Sequence, residues 1–171
     1  MILDQLAHVN TFIFDVDGVL TPGSVIATDK GEMQRTFNIK DGFALQYVVK
    51  QGYNVIIISG GNSDGVRDRL RTLGIKEVHT GVSDKRILLA ELQLKLDLDL
   101  ERTLYMGDDY PDLSVMRMCG VKVAPSDAAW EVQELADIVT KQAGGQGAAR
   151  EILQKVLMMQ DKWESSEHSV W

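Results

Sequence analysis

The sequence predicts an α/β fold built around a mostly parallel sheet. Three observations point to it. Short apolar runs rich in Ile, Val and Phe alternate with segments of helical period along most of the chain, the pattern of strand–helix–strand units. Several runs end in polar or glycine-containing loops: Asp15-Val16-Asp17-Gly18, Ser59-Gly60-Gly61 and Gly107-Asp108-Asp109. The length of 171 residues suits one domain, 1–171, with a single sizeable core. A composition 44% apolar and 25% charged is that of an ordinary globular chain.

Strands are predicted at 11–14, 53–58, 77–79, 103–106 and 121–123. Helices are predicted at 42–51, 63–73, 84–96, 109–119 and 128–136. Ser63 and Ser83 are suitable N-caps, and Gly52, Gly74 and Gly120 fit helix C-termini. One insertion interrupts the alternation. Two β-type runs, 24–28 and 33–38, flank the turn Asp29-Lys30-Gly31-Glu32 and predict a β-hairpin flap over about 22–38. It comes directly after the first strand, so it is expected to overhang that strand's end. Its apolar residues lack a partner within the flap, which points to contacts with another subunit. At the far end, the glycine-rich stretch 142–151 reads as a flexible link carrying Arg150, with a helix next to it near 148–160. The expectation is a flexible C-terminal tail over about 142–171, frayed at its end apart from Trp163 and Trp171.

The net charge of −7 argues against a nucleic-acid surface but not against an anionic substrate, because a local cation can reverse the field in a cleft. No apolar run approaches the roughly 20 residues of a membrane span. The first residues, Met-Ile-Leu-Asp-Gln-Leu, lack the pattern of a signal peptide. The single cysteine, Cys119, forms no internal disulfide. Together these features favour the cytoplasm.

The most informative stretch is Phe12-Ile13-Phe14-Asp15-Val16-Asp17-Gly18. An apolar strand ends in two carboxylates on the same side of an extended chain. At about 4 Å their repulsion is roughly 4 kcal/mol at an effective dielectric near 20, so a divalent cation or a shared proton is needed. Three further features fall at predicted strand ends, the edge where open α/β sheets bind ligands. Ser59-Gly60-Gly61 offers a hydroxyl and backbone N–H groups to phosphate oxygens. Lys85 brings a compact positive charge. Gly107-Asp108-Asp109-Tyr110-Pro111-Asp112 is a second acidic cluster. Each alone has a bland alternative as a turn, a loop, a solvated lysine or a helix cap. The four together, in this order and each at a strand end, indicate a site. His8, His79 and His168 have no metal-ligand spacing, and Cys119 reads as packed.

This arrangement resembles the haloacid dehalogenase-like phosphatases. Asp15-Val16-Asp17-Gly18-Val19 matches their first element, Ser59 the second, Lys85 the third and Gly107 to Asp112 the fourth. Within that superfamily the chain resembles the capless 3-deoxy-D-manno-octulosonate 8-phosphate (KDO 8-phosphate) phosphatases. The finer match rests on the flap, on Phe37-Asn38-Ile39-Lys40-Asp41-Gly42, and on Gly144-Gly145-Gln146-Gly147-Ala148-Ala149-Arg150-Glu151. The resemblance implies a Rossmann-like three-layer sandwich without a large cap domain, acting on a phosphorylated sugar acid in lipopolysaccharide biosynthesis. It implies a homotetramer in which flaps meet centrally and a neighbour's tail can close the site. Two positions depart from better-known members, in which arginines stand where this chain has Gly61 and Gln46. They leave the sugar open between eight carbons and a nine-carbon 2-keto-3-deoxy acid 9-phosphate.

The resemblance also implies a chemistry. Asp15 is the nucleophile that forms an aspartyl-phosphate, and Asp17 the general acid and then base. Mg²⁺ is held by the Asp15 carboxylate, the Asp17 carbonyl and Asp108, with Asp109 and Asp112 orienting waters or Lys85. Ser59, Gly60 and Lys85 face the phosphoryl oxygens. Asn38, Ile39, Lys40, Asp41, Gly42, Arg69 and Arg150 are candidates for the sugar, Arg150 by way of another subunit. The rival of a different class is a receiver-type phosphoacceptor module. It would place its acceptor aspartate at a later strand end, where this chain has Ser59-Gly60-Gly61.

Overall fold

In the computed structural model, residues 2–163 are described. His168 and Trp171 lie outside them. The elements run α1 (Ile2–Leu6), β1 (Thr11–Phe14), β2 (Ile26–Ala27), β3 (Met33–Gln34), α2 (Ile39–Lys50), β4 (Asn54–Ile58), α3 (Asp64–Thr72), β5 (Glu77–His79), α4 (Lys85–Leu96), a 3-10 turn (Leu100–Arg102), β6 (Thr103–Met106), α5 (Tyr110–Met116), β7 (Val121–Ala124), α6 (Trp130–Leu135), β8 (Ile138–Val139) and α7 (Ala148–Met159). Six strands form one parallel sheet in the order β5-β4-β1-β6-β7-β8. The chain winds outward from β1 to one side through β4 and β5, then crosses to β6 on the other. A crevice therefore opens at the carboxyl end of β1, between β4 and β6.

Strand residues alternate between two cores, as period-2 geometry requires. Phe12, Phe14, Val55, Ile57, Leu104, Met106, Val121 and Val123 pack with α2, α3 and α7. Ile13, Ile56, Ile58, Tyr105 and Ala124 pack with α4, α5 and α6 on the opposite face. Both faces are covered, so the central strands are continuously apolar. The result is the three-layer sandwich expected from the sequence. No helix of the described residues is long and apolar enough to cross a membrane.

Local chemistry adjusts several boundaries. Ser63 caps α3 as expected, its Oγ accepting from Val66 N. Asp84, not Ser83, caps α4, accepting from Arg86 N and Ile87 N. Gly52 and Gly74 come after α2 and α3 with positive φ, but Gly120 does not share that conformation. An added Cβ at Gly120 would lie 2.0 Å from Glu101 O, so it is a site of close backbone approach. Helix α2 starts earlier than predicted because Asn38 Oδ1 accepts from Lys40 N and Asp41 N. The short helix α1 and the edge strand β8 carry too little pattern to be read from sequence. The flap is an antiparallel hairpin of two-residue strands, with Ile26 and Met33 exposed.

The glycine-rich segment departs from its expected flexibility. A Cβ at Gly144 would lie 1.8 Å from Gly18 O, and one at Gly145 would lie 2.4 Å from Pro22 N. Gly145 N donates to Val19 O at 2.8 Å, and Gly144 N to Asp127 Oδ1 at 2.8 Å. These glycines allow the chain to lie directly on the loop after β1. Helix α7, the next element, is no loose tail: Ala148, Ala149, Ile152, Leu153, Val156 and Leu157 are fully buried in the core. Removing the chain from Gly144 onward would therefore destroy packing rather than free a site.

Asp41 is the hinge of that packing. Its carboxylate is buried and accepts from Arg150 N at 2.7 Å and Gly147 N at 3.2 Å, satisfying two orphan donors at the start of α7. Asp41→Ala should cost about 1–3 kcal/mol, a fall in Tm of roughly 3–10 °C. Asp41→Asn, which keeps an acceptor, should lose less; thermal denaturation of both variants measures the difference.

Candidate active site

The ladder between β1 and β6 continues one step past β1, with Asp15 N donating to Met106 O at 3.1 Å. This sets Asp15 at the floor of the crevice. Val16 N donates to its Oδ1 at 2.7 Å, and Lys85 Nζ lies 3.0 Å from the same oxygen. Both partners fall on Oδ1, leaving Oδ2 without a donor among the described residues. Lys85 enters from the first turn of α4 and is itself buried. Ser59, at the end of β4, is buried, and its Oγ accepts from Gly61 N at 3.2 Å.

Asp15, Asp108 and Asp112 bring carboxylate oxygens within 4.8 Å of one another. Their surroundings differ. Asp112 is fully buried and saturated: Oδ1 takes Lys85 Nζ and Tyr105 OH, each at 2.7 Å, and Oδ2 takes Asp108 N at 3.1 Å and Asp109 N at 3.5 Å. Asp108 is the opposite case. Its Oδ1 is buried with no partner among the described residues. A buried, orphaned carboxylate oxygen within a cluster of three carboxylates fits a hard divalent cation, which takes oxygen ligands. Asp112 is the ion-pair partner of Lys85, and both of its oxygens are already engaged. Gly18 makes the approach possible: it has φ +87°, and a Cβ there would lie 1.9 Å from Asp108 Oδ2.

The side chain of Asp17 stands apart from this cluster. Arg35, just past β3 on the flap, grips it through Nε at 2.6 Å and Nη2 at 2.9 Å, and Thr21 Oγ1 donates at 3.4 Å. Asp17 and Asp15 are therefore not the mutually repelling pair that their spacing suggests.

The haloacid dehalogenase-like hydrolase family matches residues 74–152. The 3-deoxy-D-manno-octulosonate 8-phosphate phosphatase of Yersinia pestis is 35% identical over 165 residues, covering 96% of this chain and 88% of the relative. The chain belongs to this phosphatase family. Among solved structures, the phosphatase of Moraxella catarrhalis, in complex with magnesium ion, phosphate ion and KDO, has a TM-score of 0.91 at 33% identity, covering 95% of this chain and 93% of that one. The cobalt-bound enzyme of Haemophilus influenzae has a TM-score of 0.90 at 32% identity, covering 96% and 98%.

The phosphatase fold brings some sequence-predicted residues together and separates others. Asp15, Ser59, Lys85, Asp108 and Asp112 share the crevice. Asp109 caps α5 through Tyr110 N at 2.8 Å. Asn38, Gly42 and Arg69 line one small cleft with Leu20 and Phe37, and a Cβ at Gly42 would lie 2.8 Å from Arg69 Nη2. Ile39, Lys40 and Gly60 are exposed. Two of the predicted sugar contacts are engaged elsewhere. The Asp41 carboxylate holds α7. The Arg150 guanidinium stacks on Trp163 at 4.4 Å and Phe43 at 5.3 Å and donates to Gln154, none of them residues of the Asp15 cluster. Sequence reasoning missed Tyr105 and Arg35. The signal for Tyr105 is a polar tip in a strand two residues before Gly107; Arg35 is one of four charged residues in the flap, and no local pattern distinguishes it.

Burial, the Asp112 charge and incomplete compensation by Lys85 push the Asp15 carboxyl up to about 7. Burial, then Asp15, Asp112 and Asp109, push Asp108 up to about 8. Both lie above the ordinary 3.8, so the metal-free folded chain holds protons that the unfolded chain has released. This contribution to stability is present in full below the unfolded value and is lost as pH rises through 7 to 8. Thermal denaturation in chelator should therefore show Tm falling from about pH 5.5 to about pH 8.5. A saturating divalent cation, which requires ionised carboxylates, should restore more at the higher pH.

Proposed function

We propose that this chain is a Mg²⁺-dependent phosphatase that hydrolyses KDO 8-phosphate to KDO and phosphate. The observation that carries the reading is the clustering of the Asp15 and Asp108 carboxylates, the second with an orphaned Oδ1, at a crevice that also holds a buried lysine and a strand-end serine. Membership of the family and the likeness to a protein solved with magnesium, phosphate and KDO support the substrate and the metal.

Asp15 attacks phosphorus through its carboxylate, which Val16 N–H and Lys85 hold in place at Oδ1. The P–O bond to the sugar breaks and an aspartyl-phosphate forms. Asp17 gives a proton to the departing sugar oxygen, then takes one from the water that hydrolyses the acyl phosphate. Lys85 and the Ser59-Gly60-Gly61 turn face the phosphoryl oxygens. The Asp15 carboxylate, the Asp17 carbonyl and Asp108 would hold Mg²⁺, with Asp112 fixing Lys85. When bound, the ion offsets the repulsion between an anionic nucleophile and an anionic phosphate. We assign Asn38, Lys40, Gly42 and Arg69 to the sugar, three of them lining one small cleft and Lys40 exposed. The exposed flap residues Val25, Ile26 and Met33 support a homotetramer joined through flaps, and the lone buried cysteine suits a cytoplasmic enzyme.

The test is phosphate release from KDO 8-phosphate, a nine-carbon 2-keto-3-deoxy acid 9-phosphate and simple sugar phosphates. The highest kcat/KM is expected on the eight-carbon acid; preference for the nine-carbon acid would overturn the substrate assignment. EDTA should abolish turnover and Mg²⁺ restore it. Asp15→Asn should reduce kcat by roughly 10⁴-fold or more with the Tm retained.

A further inference from the structure

Arg35 takes no part in that mechanism, yet it touches a residue that does. Its side chain is 9% exposed against 37% for Asp17, and it spans both Asp17 oxygens, with Nη1 anchored on Met33 O at 3.0 Å. A Cβ at Gly61 would lie 3.1 Å from Arg35 Nη2, 3.0 Å from Asp17 Oδ2 and 3.6 Å from Ser59 Oγ. The guanidinium therefore lies against the serine-glycine turn, in space that a side chain at position 61 would contest. It comes from the flap, while Asp17 belongs to the loop after β1.

This arrangement conflicts with proton transfer. A carboxylate with both oxygens engaged by a guanidinium fork directs no free oxygen at a leaving group or a water. The same fork fits any planar or tetrahedral anion with two adjacent oxygens, a carboxylate or a phosphoryl group alike. A phosphorylated sugar acid brings both.

We propose that Arg35 is an exchangeable clamp: it occupies Asp17 in the free protein and passes to an anionic group of the arriving substrate, so that Asp17 is released for proton transfer only when substrate is in place. Arg35 is then a positioning residue and a specificity determinant, acting on chemistry through Asp17. Because it is carried by the flap, the exchange couples flap position to occupancy of the site. The proposal rests on the reading of the crevice as a phosphomonoesterase centre.

The experiment compares wild type, Arg35→Ala and Arg35→Lys with Mg²⁺ on KDO 8-phosphate and on p-nitrophenyl phosphate, which has no carboxylate. It also measures the inhibition constant of inorganic phosphate. In Arg35→Ala, KM for KDO 8-phosphate should rise about tenfold to hundredfold, more than kcat changes, and Arg35→Lys should recover part of it. If KM rises for KDO 8-phosphate alone, the guanidinium passes to the carboxylate. If KM for both substrates and the phosphate inhibition constant rise together, it passes to the phosphoryl group. Unchanged KM on both substrates would overturn the proposal, as would an equal loss of kcat in both variants with KM fixed, which marks a purely structural pair. Failure of the underlying substrate reading is separate, since wild type would then show no preference for KDO 8-phosphate.

Discussion

One fully buried carboxylate, Asp112, organises the working edge of this protein. Removing a charge from water costs several kcal/mol unless every lone pair is met. Here the donors come from three places: Lys85 from α4, Tyr105 from β6, and the backbone N–H groups of Asp108 and Asp109 where α5 begins. The carboxylate thus ties two helices and a strand to one point. It also fixes Lys85, whose single charge is shared between Asp112 and Asp15. Three ionised carboxylates and one ammonium sum to −3 + 1 = −2, the charge that one divalent cation cancels. The raised values of Asp15 and Asp108 and the orphaned oxygen of Asp108 express the same deficit in different ways.

The backbone around this cluster is held from outside the sheet. The loop after β1 must bring Gly18 against Asp108 and then turn into the flap. Gly144 and Gly145 lie on the other side of that loop, at distances that exclude any side chain. They are held in turn by Asp127 and, through the start of α7, by Asp41. A charge near the beginning of the chain thus caps a helix near its end, and the segment between them presses on the catalytic loop. The Asp-Gly element and the glycine-rich segment form one structural unit, although neither is required to touch a ligand for that role.

Much of the fold was legible in the sequence, because its central strands are buried on both faces and read as apolar runs. Strands 11–14, 77–79 and 103–106 coincide with β1, β5 and β6. The crevice residues Asp15, Ser59 and Asp108 were legible for a related reason, and Lys85 only through its place in the order of the motifs. A polar group at the end of an apolar strand has few structural explanations. What escaped were contacts between distant segments. Asp41 and Arg150 look like ligand contacts in a linear reading, since a carboxylate that caps a helix 106 residues away leaves no local pattern. The glycines of 144–147 looked loose because glycine is read as freedom, whereas here its lack of a side chain permits contact. Arg35 was invisible for want of any periodicity or neighbour in sequence.

Asp15 and Asp17, one residue apart, show how little of a carboxylate's role resides in the carboxylate. Strand geometry directs both toward the same side, but the turn at Gly18 and the return of the flap give them different company. Asp15 is buried beside two other acids with one shared lysine, so its charge is held in an environment that a cation must complete. Asp17 is more exposed and faces a guanidinium and a hydroxyl, so its charge is already met without a metal. In the proposed mechanism this difference divides the labour of nucleophile and proton carrier between them. The division is set by Asp108, Asp112 and Lys85 on one side and by Arg35 and Thr21 on the other. On that proposal, control of the reaction lies as much in the flap that carries Arg35 as in the sheet that carries Asp15.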